Sequence, residues 1–283
     1  MPLIDAIVAP LGAGAFGLLF GIERLWPLRA RSCPQARRLL RNFLVSAPAF
    51  VLLRLAMVPA AFGAAAWAAA RDVGILHWLP APRWLAIVAG FILMDWIYYA
   101  WHRATHRIGF LWRFHAVHHS DLDLDVTTAA RFHFGEIVLS VPFRAAASVA
   151  LGISVEALAA FEICFQVAVL FHHSNWKLPL GFERALGLVL VTPRLHGIHH
   201  SIVRSETDSN WGTIFSFWDR LHRTLRRDVP QASLTIGVPA YRDVAELSVL
   251  RLWAMPFGRQ RPWRLPSGEV PGRAPSTARR LVA

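Results

Sequence analysis

The chain has 283 residues, 55% of them hydrophobic and 17% charged, with a formal net charge of +12 and a mean hydropathy of +0.39. Soluble domains run at about 45 to 50% apolar even with glycine counted, so the composition argues against a soluble globule and for an all-α integral membrane protein. The positive charge sits in arginine-rich loops beside apolar stretches, which fits membrane topology rather than nucleic-acid binding. The two cysteines, Cys33 and Cys164, are far apart and form no CxxC, so neither a zinc ribbon nor a disulfide is expected.

The first apolar stretch is Ala6 to Ile22; it lacks a basic leader and a small-residue cleavage site and reads as a membrane helix, not a signal peptide. Phe43 to Ala70 follows with Arg54 inside it, then Trp84 to Trp101 with Asp95, then Ile137 to Ile153 and Val155 to Phe171. The last two meet at Leu151, Gly152, Ile153 and Ser154, as expected of a hairpin dipping into the membrane. About four transmembrane helices are expected, or five apolar segments with the last two as the hairpin, under a histidine-rich helical cap. After Pro262, the mixture of Pro266, Gly268, Pro271, Gly272 and Pro275 with arginines reads as a disordered tail.

Arginines crowd the connection from Arg24 to Arg41, whereas the connection from Arg71 to Arg83 carries only those two and Asp72. Because cytoplasmic loops are enriched in Lys and Arg, the first connection is assigned inside and the second outside. The third span then returns inside, and the hairpin begins and ends there. The expected organisation is N-terminal transmembrane helices over 1–101, a cytosolic histidine segment over 102–134, the membrane hairpin over 135–171, a second cytosolic histidine segment over 172–260 and the tail over 261–283. One catalytic domain would span roughly 90–225.

Eleven of the 13 histidines lie between His102 and His200. His102 and His106 form HxxxH; His115, His118 and His119 form HxxHH; His172 and His173 sit in FHHSNW; His196, His199 and His200 form a second HxxHH. On a helix, positions i, i+3 and i+4 share one face, so each HxxHH is expected to aim three imidazoles one way as half of a metal site. Chance supplies roughly 0.03 copies of HxxHH in such a chain, so two copies are a strong signal. His77 stands alone and is read as a packing residue.

Imidazole is the commonest protein metal ligand. The eight histidines of the three boxes exceed what one ion can use, so two metals are implied, with His133 and one of His172 and His173 as further candidates. Ligand type alone does not fix the metal. A dinuclear centre just below the ends of apolar spans suits two lipid chemistries: O₂-dependent oxidation of a C–H bond at iron, or zinc-dependent hydrolysis. The boxes contain no carboxylate, although Asp121, Asp123 and Asp125 follow the second box, so hydrolysis is weakened rather than excluded. A non-enzymatic metal- or haem-binding membrane protein is a third reading; one or two axial histidines would suffice for haem, leaving most of the boxes unexplained.

The residues DWIYYAWHRATH, LWRFHAVHHS, RFHFGE, FHHSNW, TPRLHGIHHS and DSNWGTIFSFWDRL, from about Asp95 to Thr224, resemble the fatty acid hydroxylase and sterol desaturase superfamily of membrane-bound di-iron oxygenases. The resemblance implies about four membrane helices under a cytosolic cap, two irons, O₂ as co-substrate, and hydroxylation or desaturation of a lipid. It makes His102, His106, His115, His118, His119, His196, His199 and His200 ligands. It favours His173 over His172, and His133 as a ligand or as a residue that orients one. Where relatives usually carry His-Pro-x-Glu this chain has His133, Phe134, Gly135 and Glu136, and His222 with Arg223 replaces a usual Phe-Gly, which is read as loop variation.

Asp95, Asn175, Asn210 and Asp219 are candidates for orienting ligand histidines, since metal-bound imidazoles donate their free N–H to such groups; each could equally cap a helix or a turn. Arg144 and Glu162 are a candidate pair across the hairpin. With no haem motif, flavin fingerprint or cysteine-bound cluster in the chain, the electrons are expected from a separate reductase, ferredoxin or cytochrome.

Overall fold

The computed structural model describes residues 2–273. Helix α1 (Pro2–Leu25) leads through an arginine-bearing connection to α2 (Gln35–Leu52). A π turn at Leu53–Met57 joins α2 to α3 (Val58–Ala69) as one long rod. The turn follows Pro48, which removes a donor from the helix ladder inside α2. A short helix, α4 (Ile75–Trp78), precedes α5 (Arg83–Arg107), and the single residue Ile108 separates α5 from α6 (Gly109–His119). The hairpin is α7 (Phe134–Leu151) and α8 (Val155–His173). Short helices α9 (Leu180–Leu186), α10 (Pro193–His199), α11 (Arg204–Thr207), α12 (Phe217–Leu221) and α13 (Val249–Ala254) complete the chain. Among the described residues there is no strand, only isolated bridges.

Among the described residues four helices are long and apolar enough to cross a membrane: Gln35–Ala69, Arg83–Arg107, Phe134–Leu151 and Val155–His173. Four of the five expected segments are among them with shifted ends, whereas the Ala6 to Ile22 stretch lies in α1, which is not one of the four. The helix expected from Phe43 begins eight residues earlier, and the one expected to end at Trp101 runs on to Arg107, so the HxxxH box lies on the last turns of that helix rather than beyond it. Lipid tails are as apolar as leucine, so helices in a bilayer associate by close packing, which small residues permit. Accordingly Ala61 and Ala65 of α3, Ala147 of α7 and Ala157 of α8 are buried together with Phe62, Met94, Tyr98 and Phe161.

The hairpin closes as local sequence requires. Gly152 takes φ 64°, which glycine adopts without steric cost, and the Ser154 side chain caps α8 by accepting from Ala157 N at 3.2 Å. Its tip meets the Arg71–Arg83 connection, where a Cβ on Gly74 would lie 2.2 Å from Gly152 N. The expected Arg144–Glu162 pair is present at 3.3 Å, and Tyr98 Oη donates to the same carboxylate at 2.6 Å. All histidine boxes lie toward the opposite end of α8 from this tip, with His172 and His173 on its last turn.

A buried polar network fixes α2 to the loop after the second box. Arg38 Nε donates to Asp121 Oδ1 at 2.8 Å and Arg38 Nη1 to Asp125 Oδ2 at 2.5 Å; Asn42 Nδ2 donates to Asp121 Oδ2 at 3.0 Å. Arg131 donates to Val117 O, Asn42 Oδ1 and Ser120 Oγ at 2.7–2.9 Å. Burial by itself pushes the Asp121 carboxyl up, but Arg38 and Arg131 outweigh it and hold it at about 2.

The expected disordered tail is corrected in its described part. Trp263 Nε1 donates to Ile202 O at 2.8 Å, Arg261 pairs with Glu246 at 2.7 Å, and Arg273 pairs with the buried Glu206. These ion pairs outweigh the turn-rich composition as far as residue 273. The rest of the expected tail lies outside the described residues.

Candidate metal centre

Each box is carried by a helix whose limits the sequence sets. Helix α10 starts where Thr192 accepts from Leu195 N, with Pro193 in the first helical position, where its missing N–H costs nothing. Helix α6 ends on His118 and His119, and α8 ends on His172 and His173.

The nitrogens gather in two groups. His102, His106, His115, His119 and His199 form one, and His118, His173, His196 and His200 form the other; within each, ligand atoms lie within 4.8 Å of one another. The groups abut, with the His119 and His200 rings stacked at 4.3 Å between centroids. The expectation that each HxxHH aims all its imidazoles at one site is corrected. In both boxes the i and i+4 histidines serve one group and the i+3 histidine crosses to the other: His118 leaves His115 and His119, and His199 leaves His196 and His200. Positions i+3 and i+4 diverge by roughly 100° around a helix axis, enough for packed helices to exchange ligands.

Backbone carbonyls and one carboxylate fix the tautomers. A carbonyl oxygen only accepts, so the nitrogen facing it carries the hydrogen. His102 Nδ1 donates to Trp211 O at 2.9 Å, His118 to Arg131 O at 3.2 Å, His173 to Val169 O at 2.8 Å and His199 to Ser209 O at 2.8 Å. His115 Nδ1 faces Glu136 Oε1 at 2.9 Å. In each ring the Nε2 lone pair is left for the interior.

In the second group the Nε2 atoms of His118 and His173 lie 3.1 Å apart, those of His173 and His196 3.0 Å, and those of His196 and His200 3.1 Å. For His118 and His173 both hydrogens are committed outward, so two lone pairs face each other. Only a cation between them makes that favourable. A metal–nitrogen bond of about 2.1 Å places adjacent ligands roughly 3.0 Å apart in a right-angled arrangement, which matches. In the first group both nitrogens of His106 and His119 and the Nε2 of His115 and His199 are buried without a partner, a cost that a bound metal removes. Burial first, then neighbouring imidazoles, holds His118, His119, His196, His199 and His200 well below the ordinary imidazole value, so their rings are neutral at pH 7, as metal binding requires. The residues therefore fit a metal pair.

Other expected residues have different partners. His133 is outside both groups: its Nδ1 accepts from Gly135 N at 2.9 Å as the cap of α7, and its Nε2 donates to Trp253 O at 3.0 Å. His173, not His172, joins a group. Asp95 belongs to neither histidine group; it accepts from Thr213 Oγ1, Ile214 N, Phe215 N and Trp218 Nε1 at 2.6–3.1 Å, pinning the loop after the last box. Asp219 accepts from Trp211 N and Gly212 N at 2.8 Å and so holds the carbonyl that holds His102. Asn175 bonds the Arg29 backbone, and Asn210 the backbone of Leu195 and Arg226. Sequence reasoning missed Glu136 as the partner of His115; its signal was the acidic residue one turn after His133. The backbone carbonyls have no sequence signal.

Asp121, Asp123 and Asp125 are also spoken for. Asp123 accepts from Ser32 N, Ser32 Oγ and Cys33 N at 2.7–2.9 Å, and the other two pair with Arg38. None belongs to either histidine group.

The described residues thus combine four helices long and apolar enough to cross a membrane with two carboxylate-free histidine groups that could each hold a metal ion. Residues 87–224 match the fatty acid hydroxylase family model, so this part of the chain is similar to the fatty acid hydroxylase and sterol desaturase superfamily. It is similar to the ornithine lipid hydroxylase of Rhizobium tropici, 31% identical over 179 residues covering 63% of this chain and 52% of that one. It is also similar to human alkylglycerol monooxygenase, 29% identical over 141 residues, 50% of this chain and 30% of the relative. The cholesterol 25-hydroxylase-like protein of Danio rerio is 28% identical over 169 residues, 54% of this chain and 65% of the relative. The chain thus spans about half of the first relative's length and less of the second's. No solved structure matches it significantly.

Proposed function

We propose that this chain is a membrane-bound di-iron oxygenase that uses O₂ and electrons from a separate protein to oxidise a C–H bond of a bilayer lipid from the cytoplasmic side. The observation that carries this reading is the pair of inward lone pairs on His118 and His173, set within nine histidines that lack any carboxylate ligand. The relatives' names, lipid hydroxylases and monooxygenases, favour hydroxylation over desaturation. The bonds of Asp121, Asp123 and Asp125 to other partners count against a zinc hydrolase, which relies on carboxylates as ligands or bases.

His102, His106, His115, His119 and His199 would hold one iron, and His118, His173, His196 and His200 the other. Iron bound there would supply the redox chemistry that activates O₂ and oxidises carbon. The chain's own contribution is positional. Carbonyls of Val169, Arg131, Ser209 and Trp211 lock the imidazoles, Glu136 raises the basicity of His115, and burial excludes water from the ligands. The arginines of the Arg24–Arg41 connection support the cytoplasmic assignment, since the other connection lies at the hairpin tip, away from the boxes.

Metal analysis of the purified protein tests this reading: about two irons per chain are expected, with an O₂-dependent hydroxylated product in lipid profiles of cells that carry the protein and not in those that lack it. A zinc-loaded protein that acts on lipid without O₂ overturns it.

A further inference from the structure

The face next to His106 has features the centre itself does not need. The Trp112 ring lies 5.1 Å from His106 and 5.5 Å from His119, and Trp263 packs against Trp112 at 5.7 Å. Trp112 and Trp263 are only partly buried. The Arg204 guanidinium covers both rings, at 5.7 and 4.8 Å. Trp211 also reaches His106, at 6.3 Å, and Arg103 and Arg107 cover it at 5.5 and 5.2 Å; both arginines are exposed. Arg204 also donates to Asp208 Oδ2 at 3.0 Å, and the other Asp208 oxygen lies 3.9 Å from His106 Nδ1. Guanidinium groups therefore lie over both aromatic approaches to His106: Arg204 over Trp263 and Trp112, which lead in from the surface, and Arg103 and Arg107 over the buried Trp211.

We infer that this face is where an acidic one-electron carrier protein docks, with electrons passing through Trp263 and Trp112 to His106 and His119. The inference rests on the oxygenase reading. That reaction consumes the lipid RH, O₂, two electrons and two protons and yields ROH and water, so a one-electron carrier must be oxidised twice per turnover. Electron tunnelling falls steeply with edge-to-edge distance, and rings in contact provide the shortest gaps. Arginines that rim such a face steer an oppositely charged partner and set its on-rate. The aromatic rings they cover are well suited to the centre of an interface.

The test uses the iron-loaded chain in nanodiscs and a reduced plant-type [2Fe–2S] ferredoxin, an acidic one-electron carrier. The readout is the rate of reduction of the centre by ferredoxin divided by the rate with dithionite, alongside a direct ferredoxin-binding titration. Arg107→Glu and Arg204→Glu are each expected to lower the ratio about tenfold and to flatten its salt dependence. Trp263→Leu is expected to lower the ratio while ferredoxin still binds. A ratio and a titration unchanged in all three variants overturn the inference. So does an unchanged ratio combined with weaker binding of anionic lipid, which assigns the arginines to lipid phosphates instead. A chain that takes up no iron counts against the oxygenase reading alone, and the titration still decides the docking face.

Discussion

His118 Nε2 lies 3.1 Å from His173 Nε2, with the outer nitrogen of each ring already donating to a carbonyl. The two residues come from different helices, His118 from α6 before the hairpin and His173 from the last turn of its second arm, and a cation between them is what makes the approach favourable.

The ligand exchange makes a specific prediction. His118→Ala removes a ligand from the group built on His196 and His200, not from the one its own box serves, and His199→Ala does the converse. Each is expected to lower metal content by about one equivalent and to abolish oxidation, with membrane insertion intact. His133→Ala is expected to keep both metals and to lose about 1 kcal/mol of stability, the value of a helix cap. Metal content read beside thermal unfolding separates these outcomes, and loss of metal in the His133 variant would contradict its placement.

Glu136 acts through His115. Glu136→Gln keeps the shape but removes the charge, so metal affinity or activity is expected to fall roughly 10- to 100-fold. Competition with a chelator measures it; an unchanged affinity would show that the 2.9 Å contact does nothing for the ligand.

The Arg38 network is built for stability. Removing one partner of a buried pair leaves a bare charge, at a cost of about 3–5 kcal/mol, so Arg38→Met is expected to lower the unfolding midpoint sharply. The effect should exceed that of Arg83→Met, since Arg83 pairs with Glu156 on the surface.

Asp121 gives a pH signature. Its carboxyl is held at about 2, below the ordinary 3.8, so the folded state binds the proton less readily than the unfolded chain. The stabilisation is complete above the ordinary value and disappears as pH falls from about 4 toward 2. Unfolding measured across that window should show a steeper acid limb in the native chain than in Asp121→Asn. Parallel limbs would contradict the assignment.

At the hairpin tip, Gly152→Ala places a side chain at φ 64° and against the Val73 carbonyl. A loss of about 1–3 kcal/mol is expected, with metal content unchanged because the tip lies away from the boxes. Metal loss in this variant would show that the tip and the centre are coupled.

The long apolar helices, the hairpin and the histidines that gather in the two groups were legible in the sequence because each depends on local properties. Span length follows from hydropathy, the turn from Gly152 and Ser154, and one-sided histidines from helical period. The family likeness pointed to His173 over His172. The sequence did not reveal that His118 and His199 change groups, that His133 turns away to cap α7, or that Asp95 holds the loop at 213–218. Those outcomes depend on how the helices pack and on which backbone carbonyls reach which rings, and carbonyls are common to all residues. The same holds for the three aspartates after the second box: their type suggested chemistry, but packing gave them to Arg38, Ser32 and Cys33. Helix periodicity directs a histidine toward the interior, and only the arrangement of neighbouring helices decides which group its lone pair joins.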